Sequence, residues 1–169
     1  RDFLSDDIGF DVIFGARELF DNPTTYWRRL GVPHSNLIRF SEGDMLRDYQ
    51  ADETFVCLFP YDAKLNPGLP KRVLSQLEPW RALLSARPQL GGLSQIEAGF
   101  QWYEFYRFTQ RGQTPALAFP ELATHAHFVF LKTPRVFTQK APVVKLASKA
   151  EADFQLTSAL LNSSAALLW

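Results

Sequence analysis

Short apolar runs separated by turn residues make up the first third of the chain. Residues 10–14, 37–40 and 55–59 are rich in Phe, Ile, Val and Leu. Runs of this length, each followed by Gly, Pro or a polar turn, are typical of β-strands. We therefore expect three strands here, with Cys57 at a buried position of the third.

Residues 70–87 follow a helical pattern. Apolar side chains recur there at intervals of three and four residues, at Val73, Leu74, Leu77, Trp80, Leu83 and Leu84. That spacing places them along one face of a helix. Because Pro79 would break one continuous helix, we expect a kink or a second helix at that point. The pair Gly91-Gly92 indicates a loop.

The second half of the chain is rich in short strand patterns. Four further strands are predicted at residues 116–119, 127–131, 135–137 and 143–146. The segment Lys132-Thr133-Pro134 lies between two of them and is typical of a hairpin connection. A final helix is expected from Glu151 onward. Its apolar side is predicted to contain Phe154, Leu161, Ala165 and Leu168.

Strands, a helical middle and more strands predict an α+β domain. We expect a mixed, mostly antiparallel sheet with a helical middle segment and a C-terminal helix. A length of 169 residues is typical of a single domain with a sizeable core. Arg1 is not an initiator Met, and Leu167-Leu168-Trp169 stands inside an apolar helical pattern. We therefore expect residues 1–169 to be one domain of a longer protein.

Charge and composition restrict the function classes. The 18 basic and 18 acidic residues give a net charge of zero, whereas a domain that binds nucleic acid by itself usually has a basic excess. No apolar stretch approaches the length of a membrane span, and no signal peptide is visible. A cytoplasmic protein without a membrane partner is the expectation.

No sequence motif predicts a catalytic centre. Phosphate-binding loops, dinucleotide fingerprints, nucleophile elbows and His-Glu-x-x-His helices are absent from the sequence, so we expect no catalytic residue. The segment His125-Ala126-His127 would place two imidazoles on one face of a strand, which could begin a metal site. No further ligands follow at a recognisable spacing, and no metal is predicted. A stand-alone metal-dependent enzyme that uses His125 and His127 remains an alternative.

Basic and amide side chains near turns are the better candidates for a binding site. Arg, Lys, Gln and Asn are the side chains that contact base edges and phosphates in DNA complexes. The candidate DNA-binding residues are Arg17, Arg47, Arg107, Arg111, Lys132, Arg135, Gln139 and Lys140.

Seven segments, in order along nearly the whole chain, together resemble a known family. They are Gly15-Ala16-Arg17-Glu18-Leu19-Phe20, residues 41–49 (SEGDMLRDY), Phe59-Pro60-Tyr61-Asp62, Trp102-Tyr103-Glu104 with Arg107, residues 123–129 (ATHAHFV), residues 141–146 (APVVKL) with Val136-Phe137, and Leu160-Leu161-Asn162-Ser163-Ser164. The chain resembles the C-terminal specificity domain of TaqI-like adenine methyltransferases and fused type IIG restriction-modification enzymes. It is most similar to the version in methyltransferases of BREX phage-defence systems.

The resemblance implies a division of labour. A target-recognition fold would read double-stranded DNA, while a catalytic methyltransferase domain of the same chain would carry the S-adenosylmethionine site and an Asn-Pro-Pro-Tyr motif. Residues 11–15 and 22–26 lack that motif, so the resemblance implies no cofactor and no methyl transfer within this piece. A second alternative is a protein-interaction module of a defence complex, with exposed aromatic side chains around Trp102.

Overall fold

The computed structural model describes residues 5–89, 91–109, 115–148, 150–164 and 166, with side chains from residue 7 onward. The chain divides into two compact units. Unit 1 comprises Arg1–Val12, Phe40–Glu53 and Thr109–Trp169, and unit 2 comprises Ile13–Arg39 and Thr54–Phe108.

The described residues form short strands and short helices. The strands are β1 (Ser5–Gly9), β2 (Val12–Ile13), β3 (Leu37–Ser41), β4 (Leu46–Arg47), β5 (Gln50–Ala51), β6 (Val56–Leu58), β7 (Arg107–Phe108), β8 (Ala116–Ala118), β9 (Val129–Leu131), β10 (Arg135–Phe137) and β11 (Val143–Leu146). The helices are α1 (Thr24–Arg29), α2 (Lys71–Leu77), α3 (Arg81–Ser85) and α4 (Glu151–Leu161). Every strand pair whose register is defined is antiparallel, so the predicted α+β class is confirmed.

Unit 1 is built on a four-stranded sheet with the order β1-β11-β8-β9. Since side chains alternate along a strand, the sheet presents two different faces. One face packs a core that consists of Leu46, Ala116, Ala118, Val129, Leu131, Phe137, Ala141 and Val143. The opposite face carries Leu117 and Leu146 and is covered by α4 through the buried ring of Phe154. Both faces are therefore apolar, and the sheet is buried on both sides.

Unit 2 combines a strand pair with the helical segment and an aromatic core. β3 and β6 pair antiparallel, and Leu37 faces Leu58 while Ile38 faces Cys57. The core rings are those of Phe14, Phe20, Phe59, Tyr61, Phe105 and Phe108. Phe105 lies at their centre, with ring centroids 5.2 Å from Phe14 and 5.3 Å from Phe20. The high aromatic content of the sequence thus goes largely into packing in this unit.

Several predicted elements are confirmed at the predicted residues. β3, β6, β10 and β11 occupy the apolar runs, and Cys57 is fully buried in β6. The helical segment breaks at Glu78–Trp80, a 3-10 turn that contains Pro79. α4 begins at Glu151 as expected, while Ala165 and Leu168 lie outside the described residues.

Three predictions of local structure are wrong. Lys132-Thr133-Pro134 does not connect a hairpin, because β9 pairs with β8 while β10 belongs to the sheet with the order β10-β3-β6. His125 and His127 do not lie on a strand, since β9 begins only at Val129. Residues 10–14 are not one strand, because β1 ends at Gly9 and β2 covers only Val12–Ile13.

Within the described part of the chain, no helix is long and apolar enough to cross a lipid bilayer.

Candidate nucleic-acid interface

Unit 1 contains a polar cleft beside the segment at residues 123–129. The cleft has a volume of about 460 Å³ and is lined by Arg47, Leu122, Ala123, Thr124 and His127. Arg47 comes from β4, and the other four residues come from the loop that precedes β9. Two of the segments singled out in the sequence, residues 41–49 and 123–129, therefore meet at one site.

Backbone hydrogen bonds fix the first end of this loop. The Phe119 amide donates to the Pro142 carbonyl (3.1 Å), and the Glu121 amide donates to the Lys140 carbonyl (3.0 Å). Gly43 packs against the same carbonyl, since a Cβ at this position would lie 2.6 Å from the oxygen of Lys140. Only a residue without a side chain fits there, which explains the glycine in the segment at residues 41–49.

Asn162 fixes the other end of the loop. The Phe128 amide donates to Asn162 Oδ1 (2.8 Å), and Asn162 Nδ2 donates back to the Phe128 carbonyl (2.7 Å). Ser158 Oγ donates to the same carbonyl at 3.2 Å. The side chain of Asn162 thus replaces a strand partner for Phe128. The segment Leu160-Leu161-Asn162-Ser163 acts here by holding the loop at residues 123–129 in place.

Arg47 is the cation of the cleft. Its side chain is exposed, and Nη1 donates to the Leu46 carbonyl (3.1 Å) and, at 3.5 Å, to the carbonyl of Gly43. These bonds to neighbouring backbone orient the guanidinium without neutralising its charge. A guanidinium held in this way suits a phosphate or the acceptor edge of a base.

Two predicted lysines of unit 1 lie at the surface with acidic partners. Lys140 Nζ is 3.3 Å from Glu42 Oε1, and Lys132 forms an ion pair with Glu151. Both lysine side chains are about 60% exposed, at 61% and 59%. The Lys132–Glu151 pair is exposed on both sides and contributes little to stability, whereas Glu42 is only 7% exposed, so Lys140 compensates the charge of a nearly buried carboxylate. Gln139 is exposed beside Lys140 in the turn after β10.

Arg135 lies in the interior of unit 1. Its guanidinium is completely buried, donates to Ser41 Oγ (3.2 Å) and forms an ion pair with Glu53. Nε donates to the Thr133 carbonyl at 3.4 Å. A buried guanidinium with these bonds is part of the scaffold of the unit.

The remaining predicted cations have different positions. Arg17 and Arg107 belong to unit 2, where Arg17 Nε donates to Asp21 Oδ2 (2.8 Å) and the guanidinium of Arg107 lies over the ring of Tyr106 (5.2 Å). Arg111 lies outside the described residues.

Unit 2 contains a buried cation that the sequence reasoning missed. The guanidinium of Arg87 donates four hydrogen bonds to backbone carbonyls. Its acceptors are Leu84 (2.9 Å), Phe14 (2.9 Å), Trp102 (3.1 Å) and Glu104 (2.6 Å). Burial lowers the pKa of Arg87 to about 10. A sequence signal existed, because Arg87 follows Leu84 by three residues and so continues the apolar helical stripe.

A tyrosine and a carboxylate complete this buried network. The side chains of Tyr61 and Glu104 are hydrogen-bonded, and Glu104 Oε1 accepts from the Gln101 amide at 2.6 Å. Burial raises the pKa of Glu104, and burial together with the neighbouring charge of Glu104 raises the pKa of Tyr61. The hydrogen bond between Tyr61 and Glu104 therefore joins two of the segments singled out in the sequence, residues 59–62 and 102–104, in the interior of unit 2.

For the interaction-module alternative, an exposed aromatic side chain is present near Trp102, since Phe100 is 46% exposed, but Trp102 itself is buried. Trp102 and Tyr103 are only 8% and 9% exposed, because they pack into unit 2. Two other exposed aromatic side chains of this unit, Tyr26 and Trp80, are part of the lining of a second cleft of about 480 Å³. That lining is mostly apolar, and its one charged residue is Glu18. An acidic, apolar cleft does not suit phosphate groups.

The two histidines near the polar cleft do not assemble a metal site with other described residues. Their ring centroids are 6.3 Å apart, and His125 Nδ1 lies 2.9 Å from Thr124 Oγ1. Among the residues that the structure describes, no three His, Cys, Asp or Glu side chains come close enough together to hold an ion.

Comparison with known proteins finds similarity in sequence and similarity in fold. No protein-family model matches the chain. Over 168 residues the chain is 29% identical to the adenine-specific methyltransferase PglX of Streptomyces coelicolor. The chain is similar to one part of a methyltransferase. The match covers 96% of this chain and 14% of PglX, so the chain spans about one-seventh of the length of its relative.

The fold is shared with part of a restriction-modification enzyme. The type IIL enzyme MmeI, whose structure was solved in complex with DNA, superposes with a TM-score of 0.61 over 96% of this chain and 21% of MmeI. Sequence identity in this comparison is 14%, so the likeness concerns the fold alone. A mixed, mostly antiparallel α+β arrangement therefore occurs in both proteins.

Proposed function

We propose that this chain is the target-recognition domain of an adenine-specific DNA methyltransferase of a restriction-modification or phage-defence system. In this proposal it is of the TaqI-like specificity type and binds double-stranded DNA in a sequence-specific manner. The observation that carries the proposal is the 29% identity to PglX along almost the whole chain. The fold shared with part of MmeI supports the same conclusion independently of sequence.

The polar cleft of unit 1 is the proposed contact with DNA. Arg47 supplies an exposed charge, Thr124 and His127 supply short polar groups, and Lys140 lies at the surface of the same unit. Phosphate contacts position such a domain, and side chains that reach base edges give it specificity. We assign the contacts to Arg47, Lys132, Gln139 and Lys140 in unit 1, to Arg17 and Arg107 in unit 2, and to Arg111.

Arg135 has a different role in this proposal. Because its guanidinium is fully buried against Ser41 and Glu53, it supports the surface from inside and does not itself touch DNA in this arrangement. Contact with DNA would require the buried guanidinium to leave Ser41 and the half-exposed Glu53 and to move to the surface.

The chemistry of methylation belongs to another part of the proposed parent protein. Adenine has to leave the duplex to be methylated, so one domain holds the flipped base while another grips the flanking sequence. A catalytic domain that binds S-adenosylmethionine would share the phosphate contacts with this chain. This sharing explains how a DNA-contacting domain can have a net charge of zero.

DNA binding by the chain tests the proposal directly. Fluorescence anisotropy with a labelled duplex is expected to show weak affinity and a shallow dependence of log Kd on log salt. Arg47→Ala should weaken binding about fivefold at low salt and reduce the salt slope by about 1, as expected for one lost phosphate contact. Arg81→Ala is the matched control, because Arg81 lies on α3 beside Glu78 and outside the proposed contact. Undetectable binding, or equal effects of the two variants, would contradict the proposal.

Methylation by the intact gene product tests the assignment of individual residues. Arg107→Ala and Lys140→Ala are expected to change the methylated sites or reduce their occupancy, read by single-molecule sequencing. If the methylation pattern is unchanged in both variants, these two residues are not part of the interface. The assignment of the domain would still be tested by the binding experiment.

A further inference from the structure

Two apolar side chains of unit 1 project into solvent near Arg47. Leu122 is 88% exposed and Tyr49 is 68% exposed, the two highest values among the large apolar side chains that the structure describes. Single exposed apolar residues are common on protein surfaces. These two differ from the ordinary case because each is held in its position by a specific backbone feature.

Tyr49 is held by a strained hairpin. β4 and β5 are joined by Asp48 and Tyr49 alone, whose φ angles are +49° and +64°. Positive φ at both positions is the geometry of a type I′ turn, in which the second position favours glycine. A bulky aromatic residue there is an outlier, and such strain persists where it serves a function. The hairpin therefore keeps the phenol ring at its tip although glycine would relieve the backbone.

Leu122 is held by the fixed stem of its loop. The stem bonds of Phe119 and Glu121 come directly before it, and Asn162 fixes Phe128 at the far end. The side chain of Leu122 is thus presented to solvent from a loop whose two ends are both tied to the rest of unit 1.

Arg47 is a neighbour of both tips, of one along the chain and of the other at the cleft. It lies two residues before Tyr49 on the same hairpin, and it lines the polar cleft together with Leu122. The immediate neighbours of the tips are acidic, namely Asp48 and Glu121. Carboxylates beside the tips disfavour a phosphate there, whereas the flat faces of nucleobases accept aromatic and aliphatic side chains. Tyr49 and Leu122 are therefore suited to contact nucleobases, and the cation beside them, Arg47, is suited to contact a phosphate.

We propose that Leu122 inserts between neighbouring base pairs and that Tyr49 stacks on a base exposed by that distortion, while Arg47 holds the adjacent backbone. The ligand of this site is an unstacked step of a DNA duplex. This inference rests on the proposed function, since it requires the chain to bind DNA. It adds that the chain distorts the duplex itself.

A pair of duplexes with the same sequence, one fully paired and one with a single central mismatch, tests the inference. A mismatch lowers the free energy needed to unstack a step, so a protein that inserts a side chain prefers the mismatched duplex. We expect the wild-type chain to bind it about tenfold more tightly in anisotropy titrations. Leu122→Ala and Tyr49→Ala should each reduce this ratio to about 2 or less.

Leu156→Ala is the matched control, because Leu156 is also exposed, at 61%, but lies on α4. It should keep the tenfold ratio. Tyr49→Gly gives a second, independent readout: it should unfold at a higher urea concentration than wild type, since the strain is relieved, and still lose the preference. Loss of folding therefore cannot account for the loss of the preference in this variant.

The outcomes separate this inference from the proposed function. Suppose that Arg47→Ala weakens binding to both duplexes. Insertion is then wrong, and DNA recognition stands, if the wild-type chain shows no preference for the mismatched duplex. The same conclusion follows if Leu122→Ala and Tyr49→Ala keep that preference. If the wild-type chain binds neither duplex, both proposals are overturned.

Discussion

The polar cleft of unit 1 and the buried network of unit 2 use their polar residues in different ways. In unit 2, Arg87 and Glu104 are buried, and their charged groups are satisfied by backbone carbonyls, an amide and Tyr61. In unit 1, Arg47, Thr124 and His127 line an open cleft, and the backbone behind them is fixed by Asn162. The network of unit 2 satisfies its charged groups in the interior, whereas the cleft of unit 1 presents its polar groups to solvent, although unit 1 also buries the guanidinium of Arg135.

This difference separates the sequence segments of the chain into two kinds. Two segments are part of the scaffold, namely Phe59-Pro60-Tyr61-Asp62 and Trp102-Tyr103-Glu104. The side chains of Tyr61 and Glu104 belong to a buried network, and Asp62 stabilises a turn in which the Asn66 amide donates to its Oδ1 at 2.9 Å. The segments at residues 41–49 and 123–129 meet at a surface cleft. Similarity between two sequences in a segment therefore does not by itself indicate a binding residue.

The largest effect is expected from removing the buried cation of unit 2. Arg87→Met leaves four backbone carbonyls without their donor, and we expect the free energy of unfolding to fall by about 4 kcal/mol. Lys71→Met is the control, since Lys71 is exposed at the start of α2 and should change stability by less than about 0.5 kcal/mol. Urea denaturation measures both. A cost near 1 kcal/mol for Arg87→Met would mean that the interior network is not what holds unit 2 together.

A smaller effect is expected at the support of the unit 1 cleft. Asn162→Ala removes both bonds to Phe128 and should cost about 2 kcal/mol, with faster hydrogen exchange of the Phe128 amide. Asn162→Asp places a carboxylate oxygen against the carbonyls of Phe128 and Ser158, which repel it, so its cost should be at least that of Asn162→Ala. Asn22→Ala removes an exposed bond to the Glu18 carbonyl and serves as the control. Unchanged exchange at Phe128 in Asn162→Ala would contradict the proposed support of the loop.

The smallest effect is expected in the pH dependence of stability. Because burial raises the pKa of Glu104, the folded state binds more protons than the unfolded state between the ordinary and the raised pKa. The contribution of Glu104 to the free energy of unfolding is therefore most favourable below about pH 4 and declines as the pH rises through the raised pKa. Glu104→Gln should remove this decline, as measured by urea denaturation at a series of pH values.

Glu97 provides a control, because its effect on the pH dependence of stability has the opposite sign to that of Glu104. Its exposed carboxylate accepts hydrogen bonds from the hydroxyl and amide of Ser94, which lower its pKa. Its contribution is therefore present above its ordinary pKa and is lost as the pH falls. Glu97→Gln and Glu104→Gln should change the pH profile in opposite directions, and parallel changes would show that burial does not control the carboxyl of Glu104.

The sequence predicted the elements whose signal is local. β10 and β11 are apolar runs bounded by turns, and Pro79 lacks the amide hydrogen that a continuous helix needs. α1 was missed because six residues are too few to establish a helical period. β1 was missed because the sequence SDDIG carries no apolar alternation, and the strand exists through its pairing with β11.

The candidate site was only partly predictable for the same reason. Arg47 and the segment at residues 123–129 were singled out separately, but nothing in their spacing shows that they line one cleft. Arg135 was predicted to contact DNA because it lies near a predicted turn, whereas its burial depends on contacts with Ser41 and Glu53, which are distant in sequence. The structural role of Asn162 likewise depends on a partner 34 residues away.

The α+β class, the break in the helical segment and the buried strand around Cys57 could all be predicted from the amino-acid sequence. These features follow from side-chain periodicity and backbone chemistry, which act over a few residues. The pairing of β9 with β8 instead of with β10, the burial of Arg87 and the meeting of Leu122 with Arg47 at one cleft became visible only in the folded chain. Strand partners and burial depend on which surfaces of the whole chain meet, and that information is not contained in any short segment.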